Sequence, residues 1–257
     1  MAYVAQSLLR PQHCAPFPTP SAQRDVGWSG ASKLKSQLFK DLFYASVGRL
    51  SAVNLVRYKL TYKLNGGTGA RWGGDPLVLH LGSGTHRIAG FVNIDGNPRE
   101  KTDLWLDVRC GLPYRDASVD SIYTTHMFEH LYPDELQNLL RECVRVLKPG
   151  AGMRIVVPSL ASAIAAYCQK RENWFDAWPL KYESWGGKFS NYMFCSGQHR
   201  TAFDFEYLAE VLRTAGFREI IETSEGASRV YGDRVPSYER REELQHSLFV
   251  ECFAGKD

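Results

Sequence analysis

No stretch of this 257-residue chain approaches the ~18 uncharged apolar residues that a membrane-spanning helix needs, so no spanning helix is expected. The first 20 residues lack a continuous apolar run, being broken at Arg10, Pro11, Gln12 and His13, which argues against a secretory leader. The six cysteines (14, 110, 143, 168, 195 and 252) form no C-x-x-C pair, and they read as reduced thiols in a cytoplasmic protein. No internal repeat is visible. The remaining composition, 44% hydrophobic and 23% charged, is that of a soluble globular protein long enough for one sizeable core.

The net charge of +3 is unevenly spread. Lys33, Lys35, Lys40, Arg49, Arg57, Lys59, Lys63 and Arg71 face a single acid, Asp41, in the segment 31–74, so the rest of the chain is acidic. Residues 1–30, rich in proline, read as a mobile leader. From Ser32, Leu34, Leu38, Phe39, Leu42 and Phe43 recur at helical spacing; Gly48 interrupts, and Leu50 to Leu64 resumes as a second basic amphipathic piece. Glycines 66, 67, 69, 73 and 74 then make a linker, which gives a leader at 1–30, a helical extension with its linker at 31–74, and a main domain at 75–257. The one-sided charge and apolar stripe of 32–64 suit an anionic membrane surface or a partner protein, which would hold a cytoplasmic protein peripherally at a membrane. A solvated face packed on the domain is the plainer alternative.

The most informative stretch is 77–95. An apolar run, Leu77 to Leu81, ends in Gly82-Ser83-Gly84, and a second run, Phe91 to Ile94, ends in Asp95. In a parallel α/β sheet, ligands sit outside the carboxyl ends of the strands. Glycines there let backbone N–H groups approach a ligand, and a carboxylate at the next strand end can accept both hydroxyls of a ribose. The dinucleotide fingerprint needs a third glycine and an acid about 20 residues on. Here Asp95 follows Gly84 too soon for a crossover helix, so a nucleoside without phosphates fits better than a dinucleotide.

Further strands are expected near 103–107, 119–125, 152–157, 217–223 and 246–253, with helices over 133–147 and 205–215. Lys148-Pro149-Gly150 should end the first of these helices, with Ala151 in a turn before the next strand.

The succession Asp103-Leu-Trp-Leu-Asp107, Val119 to Thr125, His126-Met-Phe-Glu129-His130, Leu139 to Gly150 and Met153 to Pro158 resembles the Rossmann-like S-adenosylmethionine-dependent methyltransferases. It is most similar to small bacterial members with a shortened first crossover, found with polysaccharide and secondary-metabolite methylation. The resemblance implies an α/β fold with a seven-stranded, mostly parallel sheet and helices on both faces, preceded by the helical extension. It implies S-adenosylmethionine as cofactor, held by Leu81, Gly82, Ser83, Gly84, Asp95, Gly96, Asp107, Val108 and Thr125. In it, Gly82 to Gly84 pass under the methionine part, Asp95 holds the ribose, and Asp107 with the Val108 backbone reads the adenine amino edge.

Methyl transfer to a hydroxyl gains from a general base, and neutral histidine suits that role. The candidates are His126, His199 and His130, of which His126 and His199 are favoured. The aromatic-rich region 167–194 is either packing or an acceptor surface, flat rings suiting a sugar. The expected reaction is O-methylation of a sugar hydroxyl on a small-molecule or glycan acceptor, without a nucleic-acid partner. Two alternatives stay open. One is a non-catalytic cofactor-binding module that recruits partners. The other is a zinc hydrolase built on His126, Glu129 and His130, since H-x-x-E-H is a zinc-protease signature. That chemistry needs both histidines on one helix, whereas His126 directly follows the run Ser121 to Thr125 and should cap a strand, so no metal is expected.

Overall fold

The computed structural model describes residues 50–60, 76–97, 100–171, 173–175, 181–240 and 246–255. The leader, the first basic stretch up to residue 49 and the glycine linker lie outside these residues.

The strands β1 (Val78–Leu81), β2 (Val92–Asp95), β3 (Leu104–Trp105), β4 (Val119–Thr125), β5 (Leu147–Pro158), β6 (Arg218–Thr223) and β7 (Ser247–Phe253) form one sheet. Its order is β3-β2-β1-β4-β5-β7-β6, parallel throughout except for β7, which runs antiparallel to both β5 and β6. The chain winds outward from β1 through β2 to β3, then returns to lay β4 on the other side of β1. That reversal opens a crevice at the carboxyl ends of β1 and β4. Gly82 and Thr125 stand at these strand ends, and Asp95 ends the neighbouring β2.

The α-helices are α1 (50–60), α2 (Pro133–Val146), α3 (Leu160–Gln169), α4 (Trp185–Phe194) and α5 (Phe205–Ala215). Helix α2 starts at Pro133, with the Glu135 carboxylate accepting the Tyr132 N–H at 3.0 Å. Asp204 caps α5 by accepting the Tyr207 N–H at 2.9 Å, and Gly216, at φ 111°, closes it. Leu136, Leu139, Leu140 and Cys143 of α2 and Leu208 and Leu212 of α5 share one core with Leu79, Leu81, Ile122 and Ile155 of the sheet. Leu55 of α1 joins the same core, and α1 lies within the unit Phe43–Asp257.

Side chains alternate along a strand, so Val78, Tyr123, Val156 and Phe249 face the other way, under Ile88, Phe91, Val230 and Tyr231. Ile88 and Phe91 come from the connection 82–91, which is too short for a helix and holds none. A third cluster, Ala163, Ala166, Phe175, Tyr192 and Met193, joins α3 to α4.

Two strand boundaries differ from expectation. The third strand is confined to Leu104–Trp105 because its flanking acids bond elsewhere. Asp103 accepts the Asn93 N–H at 2.9 Å, and Asp107 caps a 3-10 turn, Val108–Cys110. The fifth strand is longer, taking in Lys148-Pro149-Gly150 and Ala151, which were expected in a turn. A register shift absorbs the excess: Val119 pairs with Leu147, but Ser121 already pairs with Gly152.

Candidate functional site

The turn after β1 is bonded to the end of β2. Ser83 N–H donates to the Ile94 carbonyl at 3.1 Å. The Asp95 carboxylate accepts the Gly84 N–H on one oxygen (2.8 Å) and the Asn97 N–H on the other (2.7 Å). Gly82 and Gly84 sit at φ 67° and 49°, in the left-handed region that favours glycine. A Cβ on Gly82 would meet Met127 Cγ at 2.3 Å, so Met127 lies directly against this turn. A Cβ on Gly84 would meet nothing within 4 Å. The Ser83 hydroxyl is buried and has no hydrogen-bond partner among the described residues. An open glycine backbone, an unpartnered buried hydroxyl and a carboxylate with spare lone pairs are what a nucleoside with a polar tail needs.

Leu81 is fully buried in the core, so only its main chain can reach a ligand. Gly96 lies against Asp107, whose Cα would be 3.3 Å from an added Cβ, and the Trp105 indole N–H donates to the Gly96 carbonyl at 2.9 Å. The Val108 side chain belongs to the core.

Asp107 is engaged more heavily than its expected role at the adenine edge suggests. Its carboxylate takes Arg109 Nε at 3.0 Å and Arg109 Nη2 at 2.7 Å, and Arg109 continues to Glu135 at 3.0 Å. Those two carboxylates push the Arg109 pKa above its usual value, Asp107 foremost. The Asp107 N–H donates to the Ser51 hydroxyl of α1 at 2.9 Å. Neither Ser51 nor Arg109 was singled out in the sequence; Ser51 lies 56 positions away, and no local pattern marks it.

Thr125 ends β4 as a buried side chain, and His126 follows at φ 48°. The His126 N–H donates to the Val156 carbonyl at 2.8 Å. Phe128–His130 is a single 3-10 turn, so His126 and His130 do not share a helix as the zinc-protease signature requires. His126 Nε2 lies 2.8 Å from the Ser247 hydroxyl, and its Nδ1 lies 3.5 Å from Glu129 Oε1. His199 is brought in from the segment after α4: Arg200 and Thr201 N–H both donate to the Glu129 carbonyl, at 2.6 and 3.2 Å. The His130 and His199 rings stand edge to face, 5.1 Å apart.

Burial holds the His126 and His199 imidazoles neutral, with the His126 pKa lowered to about 3 and that of His199 to about 4. His130 is lowered as well, by burial, against the Gln198 carbonyl, which favours the protonated ring. Burial pushes the Glu129 carboxyl the other way, up to about 8. Glu129 entered the sequence reading only through the zinc alternative, yet it is the centre of this cluster.

Residues 98–155 match a family model described as a methyltransferase domain. Among solved structures, the chain is similar to an S-adenosylmethionine-dependent methyltransferase from Archaeoglobus fulgidus, at 19% identity over 85% of this chain and 99% of that one, with a TM-score of 0.46. It is also similar to an S-adenosylmethionine-dependent methyltransferase from Thermotoga maritima, at 14% identity over 86% and 96% of the two chains, with a TM-score of 0.44. A third is phosphoethanolamine N-methyltransferase 2 of Haemonchus contortus in complex with S-adenosylmethionine, at 13% identity over 72% of this chain and 50% of that one, with a TM-score of 0.42. The matched segment runs from just past the end of β2 through most of β5, in a sheet whose β1 ends in the glycine turn and whose β2 ends in Asp95.

Proposed function

We propose that the chain O-methylates a sugar hydroxyl on a glycan or small-molecule precursor, with His126 as the proton acceptor. The observation that carries this reading is the cluster of neutral histidines next to the glycine turn, where Met127 links the two. Bound S-adenosylmethionine supplies an electrophilic methyl group on a sulfonium. For the cofactor, Gly82 to Gly84 would give an open backbone, Asp95 two acceptor oxygens for the ribose, and Ser83 an unpartnered hydroxyl. Gly96, Asp107, Val108 and Thr125 would close the adenosine side.

His126, neutral and held by Ser247, can take the acceptor proton, with Glu129 Oε1 3.5 Å from its other ring nitrogen. Beside it, Tyr132 and Phe194 are exposed aromatic rings within a few residues of His130 and His199, and such rings suit the apolar face of a sugar. The test is release of S-adenosylhomocysteine with a panel of sugar, amine and carbon acceptors. Sugar turnover should fall about 10²–10⁴-fold in His126→Gln. Turnover of amines alone, or an unchanged rate in that variant, contradicts the reading.

We also propose that the basic segment 32–64 rests on an anionic lipid surface. In α1, Leu50, Val53, Val56 and Leu60 are exposed on the side opposite the buried Ser51 and Leu55, with Arg57 and Lys59 exposed beside them. Salt-sensitive binding of the full chain to anionic vesicles supports this. Indifference to them at low salt contradicts it.

A further inference from the structure

The geometry points to a binding site for a divalent first-row transition-metal ion formed by Glu129, His130 and His199. One donor atom from each of these residues lies within 4.8 Å of the others. Glu129 is 1% exposed, and neither of its carboxylate oxygens has a hydrogen-bond partner among the described residues. A buried carboxylate in that condition is costly unless a proton or a cation satisfies it.

The histidines are oriented to offer the right atom. His130 Nδ1 lies 3.2 Å from the Gln198 carbonyl, and His199 Nδ1 lies 3.1 Å from the Met193 carbonyl. A carbonyl only accepts, so both rings donate from Nδ1 and carry their lone pair on Nε2. His130 Nε2 is 4.0 Å from Glu129 Oε1. Backbone carbonyls fixing the far nitrogen are the usual support of metal-bound histidines. Two imidazoles and one carboxylate leave coordination positions open, as in catalytic rather than structural sites.

Donor atoms around such an ion stand about 3.3 Å apart, so the side chains must draw together by up to about 1.5 Å. His130 is exposed, and its ring can make that adjustment by pivoting about its contact with the Gln198 carbonyl. The backbone link from Arg200 and Thr201 to the Glu129 carbonyl holds the two segments together meanwhile. This triad is not the His126, Glu129, His130 set of the zinc-protease pattern, and it departs from the expectation of no metal. An ion there would bind the acceptor oxygen and ease its deprotonation. Only that use of the ion rests on the methyl-transfer reading; the site itself does not.

The experiment uses the full chain, stripped with a chelator and titrated with zinc by calorimetry and with cobalt(II) by visible absorption. One equivalent should bind, with a cobalt spectrum free of thiolate charge-transfer bands. Affinity should drop at least about tenfold in E129Q, H199Q and H130Q. The exposed His130 supplies a variant that keeps the fold should the buried ones fail, and circular dichroism checks each. S-adenosylmethionine binding, measured on the same samples, should persist; its loss in the wild type would fault the cofactor assignment without touching the metal site. No stoichiometric uptake, thiolate bands, or uptake unaltered in all three variants overturns the proposal.

Discussion

The backbone N–H of Gly84 donates to the Asp95 carboxylate at 2.8 Å, so the turn after β1 and the end of β2 are one bonded unit. The acid proposed to hold the ribose thus also sets the turn proposed to hold the rest of the cofactor. Its other oxygen takes the Asn97 N–H at 2.7 Å, which fixes the plane of the carboxylate before any ligand arrives. Pre-set geometry of this kind lowers the cost of ordering on binding.

Gly82→Ala should weaken cofactor binding and lower stability by about 1–3 kcal/mol, because the new Cβ collides with Met127 Cγ at 2.3 Å and the residue stays at φ 67°. Thermal melts of Gly82→Ala, Met127→Ala and the double variant check this. The double variant should recover part of the loss, since the clash is removed while the backbone strain stays. Strict additivity of the two substitutions would contradict the contact.

Arg154 is fully buried on the sheet face opposite α2 and bridges Glu239, at 2.6 and 2.7 Å, and Glu251, at 3.1 Å. Thr223 Oγ1 and the carbonyls of Ala227 and Ser224 take its remaining donors. Arg154→Met should cost about 3–5 kcal/mol, because two buried carboxylates lose their cation. A shift of the urea midpoint reads this out; an unchanged midpoint contradicts it.

His80, buried in β1 with Nδ1 3.1 Å from Asn93 Oδ1, has its pKa lowered by burial from 6.5 to about 4. Between those values the unfolded chain binds the extra proton, so the stabilising contribution is complete above pH 6.5 and is lost as pH falls toward 4. The loss should reach about 3 kcal/mol. Denaturant midpoints from pH 7 to pH 4 should fall less steeply in His80→Gln than in the wild type. Equal slopes would show that His80 is not responsible.

The parallel strands and the helices α2 and α5 were legible because their residues carry the periodicity and the punctuation, whereas α3 and α4, in and before the aromatic-rich region, were not read as helices. Val119–Thr125 and Phe205–Ala215 have the expected bounds, the second framed by Asp204 and Gly216. The absent crossover helix followed from the short interval between Gly84 and Asp95. What could not be read depends on distant partners. Ser51 reaches the Asp107 backbone and Ser247 reaches His126 across the fold, and neither lies in a motif. The third strand was over-extended because Asp107 turns to cap the next segment. Glu129 looked like part of a linear five-residue pattern, but its neighbours are set by the His199 segment folding back on its carbonyl.

Calorimetric titration of the full chain with S-adenosylmethionine, in the wild type and in Asp95→Ala, tests the cofactor site most directly. The wild type should bind one equivalent. Losing a charged acceptor for two ribose hydroxyls should cost about 3 kcal/mol, or roughly 100-fold in affinity. Equal affinity in the two proteins would contradict the assignment of this strand end as the cofactor site.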